Sequence, residues 1–187
     1  LHYGGDMAIG AAGIFTTFAA LLTTVVIGIC QGMQPIIGYN YGSGRFHRLI
    51  RTFTLAACCG AVTTTIGSVL GATMPRTIAS MFMQDPEQIQ CAVNCLKITT
   101  LTFWMVGFQI VTTNLFQALG MAGKSIFLSL TRQMIFMVPL LFTLPHAWGL
   151  NGVWATYPIS DFLSVLVAIV MLVMLMKKIR RTSPVGN

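Results

Sequence analysis

Five long runs of mostly apolar residues dominate this sequence, and each has about the length that crosses a bilayer. A transmembrane helix needs about 20 such residues, whereas a strand of a membrane barrel needs about 10 in strict alternation. The runs therefore predict an all-α, polytopic bundle of five membrane-spanning helices. We place these spans at residues 10–37, 52–74, 95–118, 125–145 and 150–176.

Composition supports the same class of protein. Only 8% of the 187 residues are charged and 55% are hydrophobic. A soluble domain carries about 25% charged residues, so this chain cannot cover a water-facing globule. A soluble enzyme is therefore excluded, and the high apolar content also excludes a disordered chain.

The basic residues predict how the chain is oriented in the membrane. Eight of the eleven Lys and Arg residues fall in three clusters, at 45–51, at Lys124 and at 177–181, which share one side if every run crosses. Because positively charged loops stay in the cytoplasm, this side and the C-terminus are predicted to be cytoplasmic. Such clusters are typical of loops that face anionic lipid, so the bilayer is the expected partner and nucleic acid is not.

The chain ends lead to a prediction about domain organisation. The first residue is Leu1, and an apolar run soon follows an N-terminus that is placed outside. This is awkward for a complete membrane protein, so we expect a fragment that lacks upstream spans. Residues 1–181 are predicted to form one transmembrane lobe, and residues 182–187 a cytoplasmic tail.

Asp161 is the only acidic residue within any predicted span. It lies about ten residues into the fifth span, which at 1.5 Å per residue is near the middle of the bilayer. A carboxylate at this depth is by default a functional hypothesis, in which it binds a cation or carries a proton. Arg132 lies at a comparable depth in the fourth span, so a structural ion pair is the alternative and stays open.

Polar side chains follow one face of the third predicted span. Gln109, Thr113 and Gln117 are spaced four residues apart, Asn114 lies beside them, and Phe116 flanks the stripe. An amide that faced lipid would be costly, so the stripe is predicted to face other helices or an aqueous cavity. Two roles stay open: hydrogen bonds that hold the helices together, and a wall that faces a substrate.

The segment after the first span is predicted to be a turn between helices. It reads PIIGYNYGSGRFHRLIR (35–51), in which glycines break the helix, tyrosines mark a membrane interface and a basic stretch follows. The residues that we single out in and beside this segment are Gln34, Pro35, Gly38, Asn40, Gly42 and Gly44.

Glycine spacing predicts where helices pack closely. Gly28 and Gly32 are four residues apart, as are Gly67 and Gly71, and such pairs let helix backbones approach each other in lipid.

The sequence offers no set of residues for catalysis or for holding a metal. The five cysteines are expected to be packing residues, and the three histidines are scattered. Intramembrane proteolysis needs two aspartates, a Ser–His pair or an HExxH motif, and a lone buried Asp provides none of these. We therefore expect a protein that is not an enzyme and that holds no cofactor and no metal.

Three stretches of the sequence resemble the multidrug and toxic compound extrusion (MATE) family, and in particular its DinF- and MepA-like bacterial branch. Ser43 stands where Ala is usual in the first of them. They follow one another in the family's order and spacing, and the match covers nearly the whole chain from about residue 6. The three stretches are GICQGMQPIIGYNYGSGRFHR (28–48), LFQALGMAGKSIFLSLTRQ (115–133) and GLNGVWATYPISDF (149–162).

The resemblance implies twelve helices in two six-helix lobes, of which this chain corresponds to the last five. It implies a multi-pass protein of the bacterial inner membrane that exports amphipathic organic cations in exchange for H⁺ or Na⁺, by alternating access. In that scheme Asp161 supplies the charge, and the missing N-terminal lobe of the same protein is a partner. The implied cavity wall consists of Gln109, Thr113, Asn114, Gln117 and Phe116.

Two other functions stay open beside export. A lipid-linked flippase of the same superfamily would favour a long basic groove, whereas only Arg132 and Lys97 lie within the spans. A non-transporting membrane interaction module would associate with a separately encoded partner.

Overall fold

The described part of the chain, residues 5–182 of a computed structural model, is helical and contains no strand. This confirms the predicted all-α bundle. A π-helical turn, Thr131–Phe136, follows the sixth helix. The α-helices are α1 (Gly5–Gly42), α2 (Phe46–Thr73), α3 (Pro75–Ser80), α4 (Pro86–Thr99), α5 (Phe103–Ala118), α6 (Ala122–Leu130) and α7 (Met137–Thr182).

Four described segments are long and apolar enough to cross a membrane as continuous helices. They are Ala8–Gly42, Phe46–Thr73, Ala122–His146 and Trp148–Ile179, and we call the last two the fourth and fifth spans. A fifth crossing exists if α4 and α5 count as one broken span, since they meet at an angle of 57°. The predicted third span, 95–118, crosses this break, which lies at residues 100–102.

Helix α1 is longer than predicted. It continues through Pro35 and Gly38 to Gly42, so the break predicted at Gly38 is wrong. A single proline removes only one backbone hydrogen bond, and ending the helix within lipid would leave several groups unpaired. The Asn40 side chain also donates to the Ile36 carbonyl within the helix, at 2.8 Å.

The turn that follows α1 is short. It reverses the chain around Gly44, whose φ of 70° lies in the left-handed region that glycine adopts without strain. Of the six residues singled out near this turn, only Gly44 therefore lies outside the helix.

A close backbone contact joins α2 to α5. A Cβ atom on Gly107 would overlap the backbone carbonyl of Gly60, so the two helices touch backbone to backbone. A Cβ atom on Gly67 would overlap the Leu22 side chain, and one on Gly71 would overlap Thr100. Both glycines therefore pack closely, as their spacing predicted. Gly28 and Gly32 differ from the prediction, because no atom lies within 4 Å of a Cβ built on either glycine.

Hydroxyl groups of α2 cover the break between α4 and α5. The helix is interrupted at residues 100–102, where backbone carbonyls lose their usual partners. Ser68 donates its hydroxyl to the Thr100 carbonyl in the break at 2.5 Å, and Thr64 donates to the carbonyl of Trp104, in the first turn of α5, at 2.9 Å. An irregular backbone within a membrane is tolerated when neighbouring helices satisfy it in this way.

A tight hairpin joins the fourth and fifth spans. Gly149 reverses the chain with φ 56° and ψ −135°, a conformation that disfavours residues with a Cβ. Gly152 then passes so close to the Leu144 carbonyl that a Cβ would overlap it. The two spans therefore run side by side from the hairpin onward, which fixes the register of the residues that face each other.

The three basic clusters meet at one end of the bundle. A cavity of about 240 Å³ at this end is lined from α1, α2, the α5–α6 turn and α7. Its lining includes Tyr41, Phe46, Met121 and Lys178, which are neighbours of the three clusters in sequence. Residues in or beside the three clusters thus lie together at one end of the bundle. The predicted tail at 182–187 lies, beyond Thr182, outside the described residues.

We expect the α2–α5 contact to be sensitive to one added methyl group. Gly107→Ala should lower the stability of the bundle by about 1–3 kcal/mol, because the backbones must separate to admit the Cβ. The apparent unfolding temperature of the purified protein in detergent measures this change.

Gly123→Ala, in α6, is the matched control for this substitution. It adds the same atom where no neighbour lies within 4 Å and gains helix propensity, so its unfolding temperature should stay level or rise. Equal unfolding temperatures for the two variants would contradict the close contact.

Candidate functional site

A buried ion pair lies between the fourth and fifth spans. The Arg132 Nε donates to Asp161 Oδ1 at 2.8 Å. Asp161 is only 4% exposed, and the Arg132 side chain is 28% exposed. Asp161 therefore faces the interior of the bundle and not lipid, and the structure brings together the two charged residues whose depths are similar in the sequence.

Local backbone structure holds Arg132 in place. Arg132 belongs to the π-helical turn, where its carbonyl accepts a hydrogen bond from the Met137 N–H five residues on. The same carbonyl accepts a second bond from the Ser160 hydroxyl, at 2.7 Å. Adjacent residues of the fifth span thus bind both the backbone and the side chain of Arg132. Ser160 is absent from the predicted site, although its position beside Asp161 is a usable signal in the sequence.

The first of two cavities beside this ion pair, which we call the acidic cavity, has a volume of about 340 Å³. It combines the Asp161 carboxylate with aromatic rings from three helices. Phe15 makes edge-on contacts with Phe103 and with Tyr157, at centroid distances of 6.3 Å and 5.1 Å. The lining residues are Phe15, Thr16, Ala19, Ala20, Thr23, Phe103, Arg132, Gln133, Met137, Tyr157, Ser160 and Asp161.

The aromatic residues of the acidic cavity are absent from the predicted site. Tyr157 precedes Asp161 by four residues and so shares its helix face, which is a signal that the sequence contains. Phe15 and Phe103 come from distant parts of the chain and are brought there only by packing. A carboxylate beside aromatic faces has the chemistry that attracts a flat organic cation.

A second cavity, which we call the amide cavity, has a volume of about 350 Å³ and lies on the other side of Arg132. Arg132 and Gln133 line both cavities, so the two meet at the ion pair. The amide cavity is lined by Ile27, Gln109, Ile110, Thr113, Asn114, Ser129, Arg132 and Gln133.

The amide cavity gathers part of the predicted polar stripe and leaves out the rest. Gln109, Thr113 and Asn114 line it. Gln117 is exposed and lines none of the cavities described here. Phe116 is fully buried in the apolar core, so the structure does not place it in a cavity wall.

Residues of the turn motif lie away from the two cavities, with one link to the site. Gln34, on α1, donates its side-chain amide to Asn114 Oδ1 at 2.8 Å. This bond ties α1 to α5 beside the amide cavity. Neither cavity includes the other five residues of the motif, Pro35, Gly38, Asn40, Gly42 and Gly44, in its lining.

Among the residues that the structure describes, no three His, Cys, Asp or Glu side chains come together in a group that could hold a metal ion.

A bundle of apolar helices with an ion pair beside two cavities defines a polytopic membrane protein with cavities among its helices. Within that class of protein, the chain can be assigned to one family. The MatE family model matches residues 1–143, and the chain belongs to this family.

Named relatives of this chain are consistent with that family. The chain is 26% identical over 176 residues to the multidrug export protein MepA of Staphylococcus aureus (strain bovine RF122 / ET3-1), covering 93% of this chain and 38% of the relative. It is 28% identical over 152 residues to MepA of Staphylococcus haemolyticus (strain JCSC1435), covering 80% of this chain and 32% of that protein. The chain thus spans well under half the length of these relatives.

Solved structures show the same fold. The MATE multidrug transporter DinF-BH, in complex with rhodamine 6G, is 36% identical, with a TM-score of 0.81 over 91% of this chain and 38% of that chain. An outward-facing MATE family transporter of the MOP superfamily has a TM-score of 0.89 over 97% of this chain and 41% of its own, at 17% identity. This second likeness supports the fold alone.

Breaking the ion pair should destabilise the bundle. Arg132→Gln or Asp161→Asn each leaves one charge without its partner, so we expect each to lower the free energy of unfolding by about 3 kcal/mol. The double variant should lose clearly less than the sum of the two, because it removes both charges. The free energy of unfolding in detergent is measured for the wild type, the two single variants and the double variant. Strictly additive losses would show that the two side chains do not interact.

Proposed function

We propose that this chain forms the C-terminal lobe of a multidrug exporter that expels amphipathic organic cations in exchange for H⁺ or Na⁺. The observation that carries the proposal is the Asp161 carboxylate, buried within a membrane bundle at the edge of a cavity with three aromatic rings. The family and the multidrug export relatives support the same activity.

The acidic cavity suits the substrate on chemical grounds. An organic cation gains from the Asp161 carboxylate and from the faces of Phe15, Phe103 and Tyr157, and both attractions strengthen where water is excluded. In the structure that carboxylate forms an ion pair with Arg132. A bound cation therefore competes with Arg132, and this competition makes binding reversible enough for transport.

Exchange follows from the same competition. Asp161 can hold one positive partner at a time in a place where an uncompensated charge is costly: Arg132, the substrate, a proton or a sodium ion. Arrival of H⁺ or Na⁺ from outside then releases the drug. Alternating access requires that the cavities open to each side in turn, with the N-terminal lobe as the opposing wall.

An open face of α1 supports a partner lobe. Gly28 and Gly32 have no neighbour within 4 Å of an added Cβ, although their spacing is typical of helix contact. The relatives are more than twice as long as this chain, which leaves room for a second lobe. We place the basic end of the bundle at the cytoplasmic face of a bacterial inner membrane, with the C-terminus inside.

Export is better supported than the two alternatives. A flippase for a lipid-linked pyrophosphate needs free cationic side chains, whereas the one cationic residue lining the two site cavities, Arg132, is paired with Asp161. A purely structural module does not need two polar cavities at a buried ion pair.

The test is dye efflux from drug-sensitive bacteria that express the complete reading frame. Asp161→Asn should slow ethidium efflux about tenfold or more, because removing a buried charge contact costs about 2 kcal/mol or more. Asp85→Asn is the matched control. Asp85 is exposed and accepts the Glu87 N–H at a helix start, where Asn caps equally well, so efflux should not change.

The double variant Arg132→Gln/Asp161→Asn separates transport from folding. It should regain stability over the single variants yet remain defective in efflux, since the carboxylate is still absent. Wild-type efflux in the double variant at matched expression would assign Asp161 a packing role only. Vesicles with an imposed sodium or proton gradient then identify the coupling ion, which is the one whose gradient drives dye movement.

A further inference from the structure

The amide cavity contains a buried hydrogen-bond acceptor with no partner. Gln109 is 3% exposed, and its side-chain oxygen bonds to no described residue. A buried acceptor without a partner costs about 1–3 kcal/mol and is uncommon in native proteins. Gln109 lines the amide cavity, so rotation of its terminal amide is the movement that would bring this oxygen to the cavity wall.

The neighbouring polar side chains already donate hydrogen bonds to carbonyl groups of the protein. The Thr113 hydroxyl donates its one hydrogen to the Gln109 backbone carbonyl at 2.9 Å. The Asn114 amide nitrogen donates to the Ile110 carbonyl at 2.8 Å, and Asn114 Oδ1 faces α1, where Gln34 binds it. What remains on these side chains is mainly lone pairs on oxygen.

The side chains of Gln109, Thr113 and Asn114 therefore favour a ligand that brings its own hydrogen-bond donor. Arg132, which also lines this cavity, donates its Nε to Asp161. Each cavity alone is near the lower limit for a drug-sized ligand, whereas the two joined at Arg132 and Gln133 fall well within the usual range.

We propose that the amide cavity is a second compartment of the drug site, which selects ligands with an N–H donor by binding it at Gln109. This inference rests on the proposed function. The aromatic cation lies beside Asp161, and a primary or secondary amino substituent reaches past Arg132 to the Gln109 oxygen. The donor relieves the unpaired acceptor, so cations without such a group bind less tightly.

Two dyes of nearly the same shape test this selectivity. Rhodamine 6G and rhodamine B ethyl ester share a xanthene cation and an ethyl ester, but only the ethylamino groups of rhodamine 6G carry N–H. Their binding to the purified protein from the complete reading frame is measured by fluorescence polarisation in detergent. The wild type should bind rhodamine 6G more tightly.

Gln109→Met removes the acceptor at nearly constant volume. We expect it to weaken rhodamine 6G binding about tenfold and to leave rhodamine B ethyl ester within about twofold. Gln117→Met is the matched control, because Gln117 lies on the same helix, is exposed and lines neither cavity. It should change neither affinity.

Gln109→Glu keeps acceptor oxygens and should keep the preference for rhodamine 6G, which guards against a Met variant that fails to fold. Equal weakening of both dyes by Gln109→Met, or no difference between the dyes in the wild type, would overturn the inference while leaving export intact. If the wild type binds neither dye, the proposed function fails and the inference fails with it.

Discussion

Backbone groups within a bilayer must find partners inside the protein, and this constraint shapes every interruption of the bundle. At the break between α4 and α5, hydroxyls of α2 bind the carbonyls of Thr100 and Trp104. At the π-helical turn, the Ser160 hydroxyl binds the carbonyl of Arg132. Because these partners come from neighbouring helices, each irregularity also fixes how two helices pack.

The second interruption produces the site. A π-helical turn shifts the side chains that follow it around the helix axis, and π-turns often occur at functional positions. Here the turn carries Arg132 to Asp161, and the Ser160 hydroxyl holds it there. Arg132 lines two cavities of similar size but different chemistry, one with Asp161 and aromatic rings and the other with the polar side chains of Gln109, Thr113 and Asn114. One interaction thus accounts for both compartments of the proposed drug site.

Local patterns predicted the features that depend on one segment at a time. Hydropathy identified the spans, and the depth of Asp161 and Arg132 indicated that they could meet. The break at residues 100–102 was not predicted, because its hydroxyl partners lie on α2, more than 30 residues earlier in the chain. Phe116 was placed in a cavity wall from its position beside the polar stripe, and the structure buries it in the core instead.

By itself, the sequence determined that this protein is a bundle of lipid-crossing helices with its basic loops on one side, because apolar length and charge are properties of each segment. It also determined that Asp161 must avoid lipid, since a carboxylate there is too costly. Tertiary structure alone decided which rings surround that carboxylate and which polar residues share a cavity. Those relations depend on where Gly107 and Gly152 let helices approach and on where hydroxyl groups permit bends, and both depend on contacts between distant residues.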